Sequence, residues 1–148
     1  MTPASAWKPT PRQSVEQECG RRGTAQVVAG CVDLLAGRDA DVTLVHALGG
    51  PAAGSVLGPH PRRDQRYWLR VWAARALLYA WDDSAQDAVL AALADEAWRV
   101  REMAAKVVAR RQLGEGVRAV ASLQHDDPVP RVRAAAAKAT AVLTAAGA

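Results

Sequence analysis

The most constraining feature of this chain is that its second half resembles itself. Displaced by 31 residues, Leu69-Arg70 falls on Val100-Arg101, and a further 32 residues carries that pair onto Val132-Arg133. The same displacement lays Ala73-Ala74-Arg75 on Ala104-Ala105-Lys106 and then on Ala136-Ala137-Lys138. Each copy begins with a first helix. The first two copies continue into an apolar second segment, Val89, Leu90 and Leu93 in one and Val117, Val120 and Leu123 in the next. An acidic turn precedes the later copies, as Asp95-Glu96 and Asp126-Asp127. A helical pair of this length cannot bury its apolar faces alone. Stacked pairs bury them against one another and build a continuous core.

Composition agrees with stacking. Ala supplies 33 of the 148 residues, and Phe, Ile and Asn are absent. Small residues at fixed repeat positions let helices approach closely, and Ala, Leu, Arg and Glu favour helix. A β-sandwich or barrel needs abundant β-branched and aromatic residues, whereas this chain has no Ile or Phe and only 5% aromatics. No apolar run approaches the length of a membrane span. No apolar stretch with a small-residue cleavage site marks the N-terminus, so a cytoplasmic protein is expected. Arg makes up 16 of the 19 basic residues, a bias that codon usage in a GC-rich, bacterial-like genome also produces.

Periodicity and punctuation divide the chain. Residues 1–13 hold Pro3, Pro9 and Pro11 and read as a flexible arm, followed by one domain over 14–148. Within it, Gln13 to Arg22 reads as a short helix. Residues 24–48 form a degenerate first pair, with helices over Thr24 to Ala36 and Asp41 to Leu48. A Gly/Pro loop occupies 49–63, and regular repeats run from 65 to 146. Their helices are expected over Gln65 to Trp81, Asp83 to Ala94, Ala97 to Leu113, Glu115 to Leu123 and Val129 to Ala146.

The segments Asp95–Leu123 and Asp126–Leu143 resemble HEAT repeats of the short type also named for phycobiliprotein lyases. That type has an Asp-containing turn, then Val-Arg, then two or three Ala and an aliphatic pair. Tyr67–Leu93 fits well, and residues 24–48 fit as a degenerate copy. The resemblance implies an all-α fold, a right-handed α-α superhelix of about three and a half helical pairs. It also implies an Asp–Arg ladder between repeats. It says little of function, because such arrays serve many partners.

Two sets of side chains are candidates for binding. Arg70, Arg101 and Arg133 recur at one repeat position beside the apolar stripe. They either reach an acidic turn of their own or an adjacent repeat, or form a row roughly 10 Å apart, the spacing of packed helices, along an acidic partner. Arg75, Lys106 and Lys138 make a second row on the outer face, where Glu102 and Lys106 are spaced for a helical ion pair.

The second set is Trp68, Trp72, Arg75 and Tyr79, spaced i, i+4, i+7, i+11 where the next copy has Arg99, Met103, Lys106 and Arg110. With Val71 and Leu78 alongside, this helix is apolar almost all round, so something covers the extra face. The cover is loop 49–61 or the N-terminal arm, a second copy, or a partner. Beside Arg62, Arg63, Arg66 and Arg75, the aromatics could also stack bases. Trp81 and Trp98 lie off the stripe, near helix ends.

No catalytic constellation is apparent. His46, His60 and His125 are scattered, and Cys19 and Cys31 are not spaced like a metal site. No cofactor or metal is expected. The reading is a non-catalytic protein–protein interaction module, a small adaptor or scaffold. Its candidate binding residues are Trp68, Trp72, Arg75 and Tyr79, supported by Arg70, Arg101 and Arg133. The partner is another protein, or a second copy meeting the Trp68/Trp72/Tyr79 stripe. The alternative is nucleic-acid binding, consistent with a net charge of +4. An activity like that of the HEAT-like DNA glycosylases or the lyases ranks below both, since no catalytic Asp matches by position.

Overall fold

The computed structural model describes residues 8–59 and 65–147. The fold is all-α, an α-α solenoid. Its helices are α1 (Pro11–Arg22), α2 (Thr24–Leu35), α3 (Val42–Gly49), α4 (Ala53–Leu57), α5 (Tyr67–Ala76), α6 (Gln86–Ala92), α7 (Trp98–Arg111), α8 (Val117–Asp126) and α9 (Pro130–Gly147).

The helices that begin the repeats stack in one row. α7 packs between α5 and α9, and α3 continues the row on the far side of α5, with α1 beyond it. Within residues 24–48, α2 and α3 touch at Gly30 and Leu44, while their larger contacts are with α1 and α5. α3 joins the first-helix row, while α2 crosses beneath α5 and reaches α6. α4 is five residues long, and α2 packs along α5.

The repeated alanines lie where the rows touch. Ala73, Ala104 and Ala136 occupy one repeat position and each is fully buried. Val100 and Val132 are likewise fully buried, and Val89 and Val120 fill the second-helix side. Each buried aliphatic side chain contributes about 1.5 kcal/mol or more, the ordinary gain from removing it from water.

Two segments depart from expectation. Residues 11–13, read as part of an arm, are the first turn of α1. Thr10 is its N-cap: its hydroxyl accepts from the Gln13 N–H at 3.2 Å, and the Gln13 side chain accepts from the Thr10 N–H at 2.9 Å. Pro11 stands at the first helical position, where its missing N–H costs nothing. The rest of the expected arm, residues 1–7, lies outside the described residues. The expected loop at 49–63 is also largely ordered. Gly50–Ala52 is a 3-10 turn and α4 follows, with Ala53 and Val56 buried. Residues 60–64, which include Arg62 and Arg63, lie outside the described residues.

At position 49 close approach of an indole ring requires glycine. A Cβ on Gly49 would fall 2.5 Å from Cζ3 and 2.6 Å from Cε3 of Trp72. Its φ of −93° suits any residue, so the constraint is contact alone. Gly49→Ala is expected to cost about 2 kcal/mol through overpacking. Gly54→Ala, whose Cβ meets open space, is expected to cost nothing. Urea unfolding of the two variants checks this, and equal midpoints would show that the segment yields freely.

Candidate functional site

The three arginines of the first set are engaged within the repeats. Arg70 donates to both carboxylate oxygens of Asp95, at 2.7 and 3.2 Å. Arg101 does the same to Asp127, at 2.7 and 3.2 Å. Each Asp also closes the turn that leads into the next helix, accepting from the N–H two residues on, Ala97 at 2.8 Å and Val129 at 2.9 Å. A further Arg101 N–H donates to the Asp95 carbonyl at 2.9 Å, and Arg133 repeats that bond to the Asp127 carbonyl at 2.8 Å. The expected ladder is therefore present. Arg70 and Arg101 do not stand as a free row, because their guanidinium groups are already paired. Arg133 has no acidic partner among the described residues.

Asp127 is buried. Burial pushes its pKa up, but it is outweighed by hydrogen bonds from Arg101 and the Val129 N–H and by the charges of Arg101 and Arg133. The carboxyl ends below its ordinary range.

The aromatic stripe is divided. Trp72 is 5% exposed, covered by the end of α3 at Gly49. Arg75 donates to the Leu48 carbonyl at 2.7 Å, neutralising the C-terminal end of α3. Burial, opposed by nearby Tyr79, holds its pKa below the ordinary value. Tyr79 is partly buried against the core. So Trp72 and Arg75 hold the preceding element in place, and the stripe is not presented whole to a second copy. Of the expected covers, loop 49–61 or the N-terminal arm, a second copy or a partner, it is residues 48–56 that lie against Trp72 and Arg75.

Trp68 is half-buried and stacks on Trp72, ring centroids 6.4 Å apart. A cleft of about 310 Å³ lies between these two indoles and α4, lined by Ala52, Ser55, Val56 and Gln65. Beyond Trp68 the stack crosses to the next repeat. The Arg99 guanidinium lies 5.3 Å from the Trp68 ring and 4.4 Å from the Trp98 ring, and Arg131 lies 5.4 Å from Trp98. Arg131 in turn holds Glu102, at 2.8 and 3.2 Å. Glu102 thus pairs with α9 and not with Lys106 on its own helix. It is 7% exposed and faces the neighbouring helix, whereas Lys106 points outward.

Farther along the same face is a groove of about 600 Å³ between α7 and α9. Its charged lining is Lys106, Arg110, Arg111 and Lys138. Leu78, Ala109, Ala135 and Val142 form its apolar part. Arg110 and Arg111 each donate to the Leu78 carbonyl at 3.0 Å, and Arg111 also to the Leu77 carbonyl at 3.1 Å. These bonds seat both heads at the C-terminal end of α5 without neutralising them. Burial, with the charge of Arg110 second, lowers the Arg111 pKa from its ordinary value. No carboxylate lines the groove among the described residues. Sequence reasoning found the Lys106/Lys138 row but not the hollow, whose signal was the small Ala109 and Ala135 between cations.

Chemistry is not evident elsewhere. Among the described residues no three His, Cys, Asp or Glu side chains are grouped to hold a metal. Burial, with Cys19 second, pushes the Cys31 thiol up to about 12, which makes it a poor nucleophile. Among the described residues no helix is long and apolar enough to cross a membrane.

The family model for HEAT repeats matches residues 55–141. No curated protein and no solved structure matches the chain.

Proposed function

Because the chain belongs to the HEAT-repeat family, we propose that it is a non-catalytic protein-interaction module whose docking face is the outer side of α5, α7 and α9. The observation that carries this reading is the groove between α7 and α9, where four cations converge around an apolar lining with no carboxylate opposite them. The face is pre-organised. Arg110 and Arg111 are held by the Leu77 and Leu78 carbonyls before any partner arrives, so little of their rotamer entropy remains to be lost on binding. Trp68, Arg99 and Trp98 lie toward the other end of the first-helix row and extend the surface, while Trp72 and Arg75 support α3.

Nucleic-acid binding is the weaker reading. A phosphate track needs a run of free cations, and Arg70 and Arg101 are internally paired. Trp68 and Trp98 lie toward the other end of the helices under Arg99 and Arg131, and the one indole near the groove, Trp81, already lies under Arg111.

The test is site-specific photo-crosslinking in the cell of origin, with p-benzoylphenylalanine placed at Lys106 or, on the second-helix side, at Arg118. Both positions are exposed. A discrete protein adduct is expected from position 106 and none from position 118. Adducts from both positions alike, or from neither, would remove the docking face assigned here.

A further inference from the structure

We propose that the α7–α9 groove receives a short acidic protein segment with apolar side chains set among its carboxylates. The inference rests on the docking-face reading above and goes further by naming the chemistry of the occupant. Charge is the first argument. Lys106 and Lys138 stand at one repeat position on adjacent helices, both exposed and without an acidic partner among the described residues. Arg110 and Arg111 add two positive charges whose bonds go only to neutral carbonyls. The single carboxylate one turn away, Glu102, is occupied by Arg131. An incoming carboxylate would therefore meet unneutralised cations on both walls.

Shape is the second argument. Leu78, Ala109, Ala135 and Val142 give the groove an apolar lining within its cationic rim. A purely ionic ligand would leave that lining unused, whereas a side chain such as Leu would fill part of its roughly 600 Å³. Arg110 and Arg111 are held in place by the α5 carbonyls, and a guanidinium fork fixed in this way suits planar carboxylates. A duplex or single strand would use the charges but not the lining.

The experiment is fluorescence anisotropy with the full chain and three labelled probes: a peptide of repeating Glu-Glu-Leu, its Gln-Gln-Leu counterpart, and a DNA oligonucleotide of matched charge. The acidic peptide is expected to bind, with affinity that weakens as salt rises. The Gln peptide is expected to fail. The double variant Lys106→Glu/Lys138→Glu is expected to lose about tenfold in affinity, as reversal of two rim charges implies. Both lysines are exposed, and unchanged helical circular dichroism verifies that the variant is folded. Equal binding of the Gln peptide would overturn the acidic assignment. So would a DNA probe bound more tightly than the peptide and lost in the same variant, or no binding by any probe. In those cases a persisting crosslink from position 106 would leave the docking face standing and remove only the acidic occupant.

Discussion

Trp72→Ala is expected to lower stability by about 4 kcal/mol, a fall in melting temperature of roughly 10 °C for a chain of this size. Trp72 is 5% exposed, with Trp68 on one side and the end of α3 against its ring. Truncation removes the full indole from a site whose neighbours cannot collapse into the space. Gly49 has no side chain to offer, and Arg75 ties the Leu48 carbonyl at a set distance. The milder Trp72→Phe variant keeps the ring contact and is expected to cost about 1–2 kcal/mol, in line with a partial loss of volume. Trp68→Ala, on a half-buried ring, is expected to cost about 1–2 kcal/mol as well. Thermal and urea unfolding followed by circular dichroism give all three values. A Trp72→Ala protein as stable as the parent would mean that this indole does not support α3.

The second large effect concerns the ladder. Arg101→Ala is expected to cost about 3 kcal/mol, because it leaves the carboxylate of Asp127 buried without its cation. It also strips the Asp95 and Glu96 carbonyls of a donor. Arg133→Ala alters the same repeat position, but that side chain makes one hydrogen bond and has no acidic partner among the described residues. A loss of about 1 kcal/mol is expected there, the ordinary value of one net hydrogen bond. The pair of variants separates repeat position from actual contact. Equal losses would show that the ion pair contributes nothing beyond packing.

The ladder also sets a pH dependence. The Asp127 carboxyl lies below its ordinary range in the folded chain, so the unfolded chain binds the more protons between the two pKa values. Stability from this group is complete above about pH 4, the ordinary aspartate pKa, and is lost as pH falls through the lower folded value. Asp127→Asn is expected to flatten that acid limb in a series of urea titrations. An unchanged limb would assign the acid sensitivity to other carboxylates.

The repeat register was legible in the sequence because stacking places the same small residue at the same contact in every copy, as with Ala73, Ala104 and Ala136. The Arg–Asp ladder was legible for a related reason. Its two residue types recur at fixed offsets and have one geometric way to meet. Around Trp72 the sequence showed that a face needed cover and roughly which segment supplied it. It did not show how, since a run of Gly, Pro and Ala carries no periodicity to mark α4, and the decisive feature at Gly49 is a missing atom. The pairing of Glu102 was misjudged because spacing along one helix says nothing of a competing arginine on the next. The groove escaped notice because its depth comes from two small residues on different helices.

Asp95 and Asp127 each perform two tasks, closing the turn before the next helix and receiving an arginine from the copy before. A turn held in this way is fully formed only when the neighbouring copy is folded. Adjacent copies are thereby linked into one cooperative unit, and a local opening at α7 is felt at both flanking turns.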